Sequence, residues 1–408
     1  LPSSFWEGKE PSGFREGCTE SISIVMSVSS IGEQSLELHR KLRGKIQVTY
    51  QGSIETPADL ALVYTPGVGA VSSYIAEHPE AVNDLTWRKN VVAVVSDGSA
   101  VLGLGNIGPV AALPVMEGKC AIFKRFAKVN AVPIVLSTQD PDEIVRTVIA
   151  IAPSFGAIQL EDISAPRCFA IEERLHDALD IPVMHDDQHG TAIVTAAALL
   201  NAVRVVDKQV RDLRIVLHGA GAAGTAIAKM LLTLGVKEIV VVDRKGAIYR
   251  DREELSGEKA LLAKITNGEQ RKGGLQEIVE GADVLIGVSV AGAFTPEVIS
   301  RLAPRSIVFG LANPVPEITP DEAHALGVTV VATGRSDYPN QVNNALCYPG
   351  LFRGMLDGNI SKITDEIKMR VAHAIASCVA SPTALKIIPS IFEEDLHERV
   401  ATSVTSLR

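Results

Sequence analysis

Glu161 and Asp162 close the apolar run Gly156-Ala157-Ile158-Gln159-Leu160, and a second acidic pair, Asp186-Asp187, lies inside the segment HDDQHGTA. Carboxylates paired just past short apolar strands are costly to bury unless a positive charge meets them. Ligands that are all oxygen suit a hard divalent cation such as Mg²⁺ or Mn²⁺. A glycine-rich loop, Gly219-Ala220-Gly221-Ala222-Ala223-Gly224, follows within a few dozen residues. A carboxylate-held cation beside a nicotinamide site points to oxidative chemistry on a small acid.

Other side chains fit such a site. Lys119, in PVMEGKCAIF, is read as preceding an apolar strand, Cys120–Phe123. A lysine there is ordinarily solvated, but partly desolvated beside a cation its pKa falls and it can serve as a general base. Tyr64, ahead of Thr65-Pro66-Gly67, is positioned to present a phenol into a cleft, although a lone tyrosine is more often a packed aromatic. Asn313 in LANPVPE and Asn343-Asn344 in QVNNALCYPG adjoin strand ends and turns, where asparagine commonly forms turns and also offers uncharged donors to a carboxylate. Acids such as Asp162 also cap helices, and DISAP reads as a helix start. Three acids at two strand ends, at the joint between two domains, favour metal binding instead. His185 and His189 flank the second pair and read as hydrogen-bonding groups rather than zinc ligands.

These groups need a scaffold. From Thr65 to about Pro182, short apolar strands (Val91–Val95, Cys120–Phe123, Ala131–Leu136, Gly156–Leu160) alternate with helical stretches such as DEIVRTVIAIA. The rhythm is βαβ. HGTAIVTAAALLNAVRV reads as one long helix leading to a second α/β unit, with strands RIVLHG, EIVVVD, ADVLIGV, SIVFGLA and VTVVAT. The expected fold is α/β: an N-terminal α/β substrate and metal domain, a doubly wound Rossmann-like dinucleotide domain and a helical C-terminal tail. The expected boundaries are 26–185, 186–345 and 346–408, the last segment packing back on the first domain. Residues 1–25 are read as a disordered upstream extension, with Met26 as the natural start; Glu7, Glu10, Glu16 and Glu20 argue against a transit peptide.

The pattern GxGxxG occurs twice. Gly103-Leu104-Gly105-Asn106-Ile107-Gly108 lacks an acid ending a second strand about twenty residues on, so it is assigned to structure or to substrate lining. Gly219–Gly224 lies between the strand RIVLHG and the helix TAIAKMLLTL, and the next strand ends in Asp243, a partner for a ribose hydroxyl. Helix N-terminus and glycines together suit a pyrophosphate.

At 408 residues the chain should hold two or three domains. A net charge of −9 argues against nucleic acid or an anionic membrane as partner. No apolar run is long enough to span a bilayer. Five scattered cysteines without a CxxC pair point to reduced thiols and a cytoplasmic protein.

In order, YTPGVGAVS, SDGSAVLGLGNIGPVAALPVMEGK, EDISAP, HDDQHGTA, GAGAAG, LANPVPE and VNNALCYPG resemble the malic enzymes, the small bacterial type most closely. The resemblance runs from about Ser35 to the C-terminus. It implies oxidative decarboxylation of malate to pyruvate and CO₂, with Mg²⁺ or Mn²⁺ and with NAD or NADP, NAD slightly favoured. It implies that Lys119 is the general base and Tyr64 the general acid. It assigns the metal to Glu161, Asp162 and Asp187, gives Asp186 a supporting role, and places Asn313, Asn343 and Asn344 at substrate or nicotinamide. A homodimer or larger closed homo-oligomer is expected. Two features depart from the pattern. Larger members carry an arginine where this chain has Ser99 and Ala100, so no clamp for the malate carboxylate is identifiable. Arg244 and Lys245 follow Asp243 and could meet a 2′-phosphate. The rival readings are a malolactic-type enzyme that retains its NAD and a catalytically silent dinucleotide-sensing protein.

Overall fold

The computed structural model describes residues 19–406, in two units that divide between Thr49 and Tyr50. The first unit contains helix α1, Thr19–Leu42, whose last turn carries His39, Arg40 and Lys41 near its negative dipole end. The helix runs through Met26. Residues 1–18 of the expected upstream extension lie outside the described residues.

The second unit opens with two short helices, α2 (Pro57–Val63) and α3 (Gly67–Glu77), neither of which buries a residue. A four-stranded parallel sheet follows, in the order β2 (Asn130–Val135), β1 (Val91–Ser96), β3 (Ala157–Leu160), β4 (Val183–His185). β1 is buried along its whole length, as expected of a continuous valine-rich run in the centre of a parallel sheet. Each of its valines contributes roughly 1.5–3 kcal/mol by leaving water.

The expected strand at Cys120–Phe123 is instead the interior of helix α4, Pro109–Ala127. Pro109 starts it, and Ala112, Met116, Cys120, Phe123 and Ala127 form its buried stripe at helical spacing. Helix α5 (Pro141–Ile151) is capped by Asp140, and α6 (Arg167–Ala178) joins β3 to β4. Helix α7, Asp186–Val205, leaves β4 directly, so Asp186 and Asp187 occupy its first turn.

The second sheet has the order β10 (Val330–Thr333), β9 (Ile307–Gly310), β8 (Val284–Gly287), β5 (Arg214–His218), β6 (Glu238–Asp243), β7 (Gly246–Ala247), all parallel except β7. The chain moves from β5 to β6 on one side and returns to β8 on the other. This opens a crevice at the carboxyl ends of β5 and β8, where doubly wound folds bind ligands. Helix α8 (Ala222–Thr233) follows β5. The tail forms α9 (Tyr348–Asp357), α10 (Asp365–Ser377) and α11 (Leu396–Thr405). From α9, Tyr348 and Phe352 set their rings edge-on against Phe123 of α4, with centroids 4.8 and 5.6 Å apart. Among the described residues no helix is long and apolar enough to cross a membrane.

Candidate active site

Glu161 and Asp162 emerge at the carboxyl end of β3, where the Glu161 amide donates to the Val95 carbonyl and Asp162 turns into the left-handed region at φ 55°. Aspartate tolerates this conformation better than most residues. The turn lets the Asp162 amide donate to Asp187 Oδ2 at 2.8 Å, tying β3 to the first turn of α7. One carboxylate oxygen from each of Glu161, Asp162 and Asp187 lies within 4.8 Å of the others, a gathering that no other trio of His, Cys, Asp or Glu among the described residues achieves.

Lys119 reaches this cluster from the middle of α4. Its Nζ donates to Asp186 Oδ2 at 2.6 Å and Asn344 Oδ1 at 3.1 Å, lies 2.9 Å from Glu161 Oε1, and stands 4.8 Å from the Tyr348 ring centroid. Burial alone would depress the Lys119 ammonium, but Asp186 and then Glu161 outweigh it and hold it well above the ordinary lysine range. Burial, reinforced by Asp187, Asp186 and Asp162, pushes the Glu161 carboxyl well up despite Lys119 beside it. Burial also raises Asp186, against the pull of Lys119. Of the four carboxylates gathered here, Asp186 and Glu161 meet the ammonium, and Asp186 Oδ1 is buried with no hydrogen-bond partner. That surplus of negative charge, on oxygen ligands spaced to share one coordination sphere, fits a divalent cation.

The loop after β1 braces the cluster. Asp97 is fully buried, accepts from the Ser99 hydroxyl at 2.6 Å and pairs with Arg167 at 3.1 Å, while Ser99 Oγ accepts from the Ser164 amide. Asn343 caps the turn that carries Asn344 by accepting from the Ala345 amide. His185 Nε2 lies 3.3 Å from Asp187 Oδ2, and His189 Nε2 lies 3.1 Å from Glu172 Oε2. Tyr64 is different. It sits at the end of α2, 64 % exposed, and none of the described hydrogen bonds or ring contacts brings it to Lys119 or the carboxylates.

At the second sheet, Gly219 has φ 125°, and a Cβ there would come within 2.7 Å of the Val288 carbonyl oxygen. A Cβ on Gly224 would lie 1.9 Å from the Gly219 carbonyl oxygen, so only glycine lets α8 start this close to the strand. Gly221 precedes the helix as its N-cap, and Ala222 and Ala223 form its first turn, with amides free to meet a phosphate. Asp243 ends β6 as expected, but Arg252 grips both its oxygens at 2.7 and 2.8 Å and Lys259 adds a bond of 2.7 Å. The adjoining Lys245 side chain pairs with Glu254 instead. Burial opposes ionisation of Asp243, yet Lys259, the Lys245 amide and Arg252 keep its carboxyl below the usual range. In the first glycine loop only Gly103 is closely packed, since a Cβ there would meet the Asn313 carbonyl oxygen at 2.4 Å, whereas Gly105 and Gly108 face open space.

Residues 188–407 match the family model for the malic enzyme NAD binding domain, and residues 43–176 that for the malic enzyme N-terminal domain. The chain belongs to the malic enzyme family. It is 51% identical to an NAD-dependent malic enzyme of Geobacillus stearothermophilus over 93% of this chain and 79% of that one. It is 49% identical to a bifunctional malic/malolactic enzyme of Bacillus subtilis over 92% of each. The crystal structure of an NAD-dependent malic enzyme from Thermotoga maritima superposes with a TM-score of 0.88 at 48% identity, covering 91% of this chain and 98% of that one.

Four side chains of this malic enzyme site were not singled out from sequence. Glu172 and Tyr348 lie behind the carboxylates and Lys119, and Arg252 covers Asp243. Glu317, inside the LANPVPE motif, is buried and accepts from the Ser289 and Ala312 amides, joining the loops that leave β8 and β9. The motif contained that last signal; the other three depend on partners brought together only by folding.

Proposed function

We infer that this chain catalyses the oxidative decarboxylation of malate to pyruvate and CO₂ with reduction of a nicotinamide dinucleotide. The observation that carries the roles of its residues is the Lys119 ammonium held between Asp186 and Glu161, with Glu161 also a member of the carboxylate trio. Glu161, Asp162 and Asp187 would hold Mg²⁺ or Mn²⁺. When bound, such an ion acidifies the malate hydroxyl and acts as a Lewis acid at the 2-oxo group. Lys119 is held as an ammonium by Asp186 and Glu161, so it must first give a proton to solvent. A cation held by Glu161 would oppose the carboxylates that keep it charged. The neutral amine would then take the hydroxyl proton as hydride leaves C2 for the nicotinamide, with Asp186 and Asn344 holding its Nζ in place. Asn344, beside Lys119, and Asn313 would offer neutral hydrogen bonds to substrate or nicotinamide.

Tyr64 is assigned the proton delivered to carbon after CO₂ departs. Its own chain leaves it exposed, alongside exposed Leu62, Val68 and Tyr74 of α2 and α3. A homo-oligomer that covers this apolar surface would place Tyr64 against a second copy, so its partner group is assigned to the site of that copy.

NAD and NADP are both accepted in this reading, with NAD modestly preferred. Asp243 remains placed for a ribose hydroxyl, while Arg252 and Lys259 offset its repulsion of a 2′-phosphate. A reducing, cytoplasmic setting accords with the cysteines, of which Cys120, Cys168, Cys347 and Cys378 are all unpaired.

The test is growth of reduced-nicotinamide absorbance on adding malate with Mn²⁺ and either cofactor. No signal with both cofactors overturns the reading. Similarity to a bifunctional malic/malolactic enzyme motivates measuring lactate in the same reaction; lactate without net cofactor reduction would favour the malolactic alternative.

A further inference from the structure

Glu172 has no part in the chemistry described above, yet it is a carboxylate only 6 % exposed, on α6 behind the site. Oε1 accepts from the His185 amide at 2.7 Å; Oε2 accepts from Gln188 Nε2 at 2.9 Å and meets His189 Nε2 at 3.1 Å. Burial alone would favour its neutral form, but His189 and His185 outweigh that and bring its carboxyl down to about 2. All three groups belong to one short stretch. His185 is the N-cap of α7 and supplies no side-chain cap of its own, while Gln188 and His189 complete the first turn. Glu172 therefore caps α7 from a neighbouring helix, placing a negative charge at the positive end of the helix dipole.

Between these anchor points lie Asp186, which holds Lys119, and Asp187, which faces Glu161 and Asp162. The His185 ring is fully buried, and its Nε2 lies 3.3 Å from Asp187 Oδ2. A small rotation of this turn would move both aspartates together. An apolar side chain at 172 would leave two buried donors, the His185 amide and Gln188 Nε2, without an acceptor, and would release the half-buried His189 ring.

We propose that Glu172 is a positioning residue for the divalent cation: by gripping α7 on both sides of Asp186-Asp187, it sets the direction in which Asp187 meets Glu161 and Asp162. The proposal rests on the metal reading of that trio. Glutamine at 172 can still accept from the His185 amide, but its NH₂ then opposes the donors of Gln188 and His189, and the turn loosens.

The experiment is direct Mn²⁺ binding, followed by the electron-spin signal of the free ion, on wild type, Glu172→Gln, His189→Leu, His189→Gln and Asp187→Asn. Glu172→Gln is expected to weaken Mn²⁺ about 10–100-fold, as loss of a partner behind a ligand typically does. Its turnover should recover at saturating Mn²⁺, and NAD affinity should be unchanged. His189→Gln keeps a donor toward Glu172 and should bind Mn²⁺ better than His189→Leu; this pair decides the matter if Glu172→Gln does not fold. Wild-type Mn²⁺ affinity in folded Glu172→Gln, or identical affinities in the two His189 variants, overturns the proposal alone. Failure of wild type to bind Mn²⁺ overturns the metal reading and the proposal together.

Discussion

A Cβ on Gly190 would stand 1.9 Å from Oδ1 of Asp186, one turn earlier on α7. The glycine leaves room for a carboxylate whose other oxygen holds Lys119 Nζ at 2.6 Å. Gly190→Ala should therefore swing Asp186 away and leave Lys119 poorly aimed, although the helix itself gains a better former. Turnover is expected to fall by about 10²-fold, the low end of what a positioned proton-transfer group contributes. NAD titration should be unaffected. Wild-type kcat in Gly190→Ala would show that Asp186 does not orient the base.

Lys119→Ala removes the base outright. Malate oxidation should drop by about 10²–10⁴-fold with dinucleotide binding retained. Tyr64→Phe should also lose turnover. If a second copy supplies Tyr64, mixing inactive Lys119→Ala with inactive Tyr64→Phe will form hybrids that hold one intact site, and activity will reappear. Assay of a refolded or co-expressed mixture checks this; persistent inactivity in proven hybrids would place Tyr64 in the site of its own chain.

Arg252 neutralises Asp243 through both oxygens. Arg252→Leu should free that carboxylate to repel a 2′-phosphate, raising the KM for NADP by about tenfold or more while NAD, with only a hydroxyl there, changes less. The ratio of kcat/KM values for the two cofactors measures it. An equal change for both would mean that Arg252 only supports the fold.

Much of this organisation can be read from the chain itself, for physical reasons. Val91–Val95 and the cores of the Rossmann strands are buried on both faces, so they appear as continuous apolar runs rich in β-branched residues. Gly219–Gly224 is identified by local demands: a turn, a close approach and a helix start, all within one loop. The four acids lie at strand ends because the sheet delivers them there. Cys120–Phe123 misleads because four apolar residues fit a buried helix as well as a strand, and the decisive spacing spans Ala112 to Ala127. Asn344 meets Lys119 across 225 residues of chain, and no local pattern announces such a pairing. Tyr64 shows the opposite gap. Its motif indicates what the phenol is for, while the backbone of a single chain does not carry it to Lys119.

Beneath Lys119, the Tyr348 ring is fully buried and its hydroxyl has no hydrogen-bond partner. Burial pushes that phenol well above the usual tyrosine range, so it stays neutral. The ring face is what meets the ammonium. Tyr348→Phe keeps the face and removes an unsatisfied polar atom, which costs about 1–3 kcal/mol when buried. The variant should be at least as stable as wild type and retain kcat, whereas Tyr348→Leu should lose the cation–π contact and part of the turnover. Calorimetry and steady-state rates on the two variants separate these contributions; a destabilised Tyr348→Phe would reveal a partner for the hydroxyl.

His397, on α11, is 6 % exposed, packs on the Phe126 ring, and has no hydrogen-bond partner at either ring nitrogen. Burial alone brings it down from 6.5 to about 4. Between those values the unfolded chain binds a proton that the folded chain refuses, so stability falls as pH drops through this window and the effect is complete only below the folded value. The loss by about pH 4 is on the order of 3 kcal/mol. Acids held low, such as Glu172 at about 2, also lose stability on acidification, but they do so further down. His397→Leu should therefore match wild type near neutrality and exceed it increasingly toward pH 4, flattening the melting temperature across that range. Parallel melting curves for the two proteins at every pH would show that His397 does not titrate on unfolding.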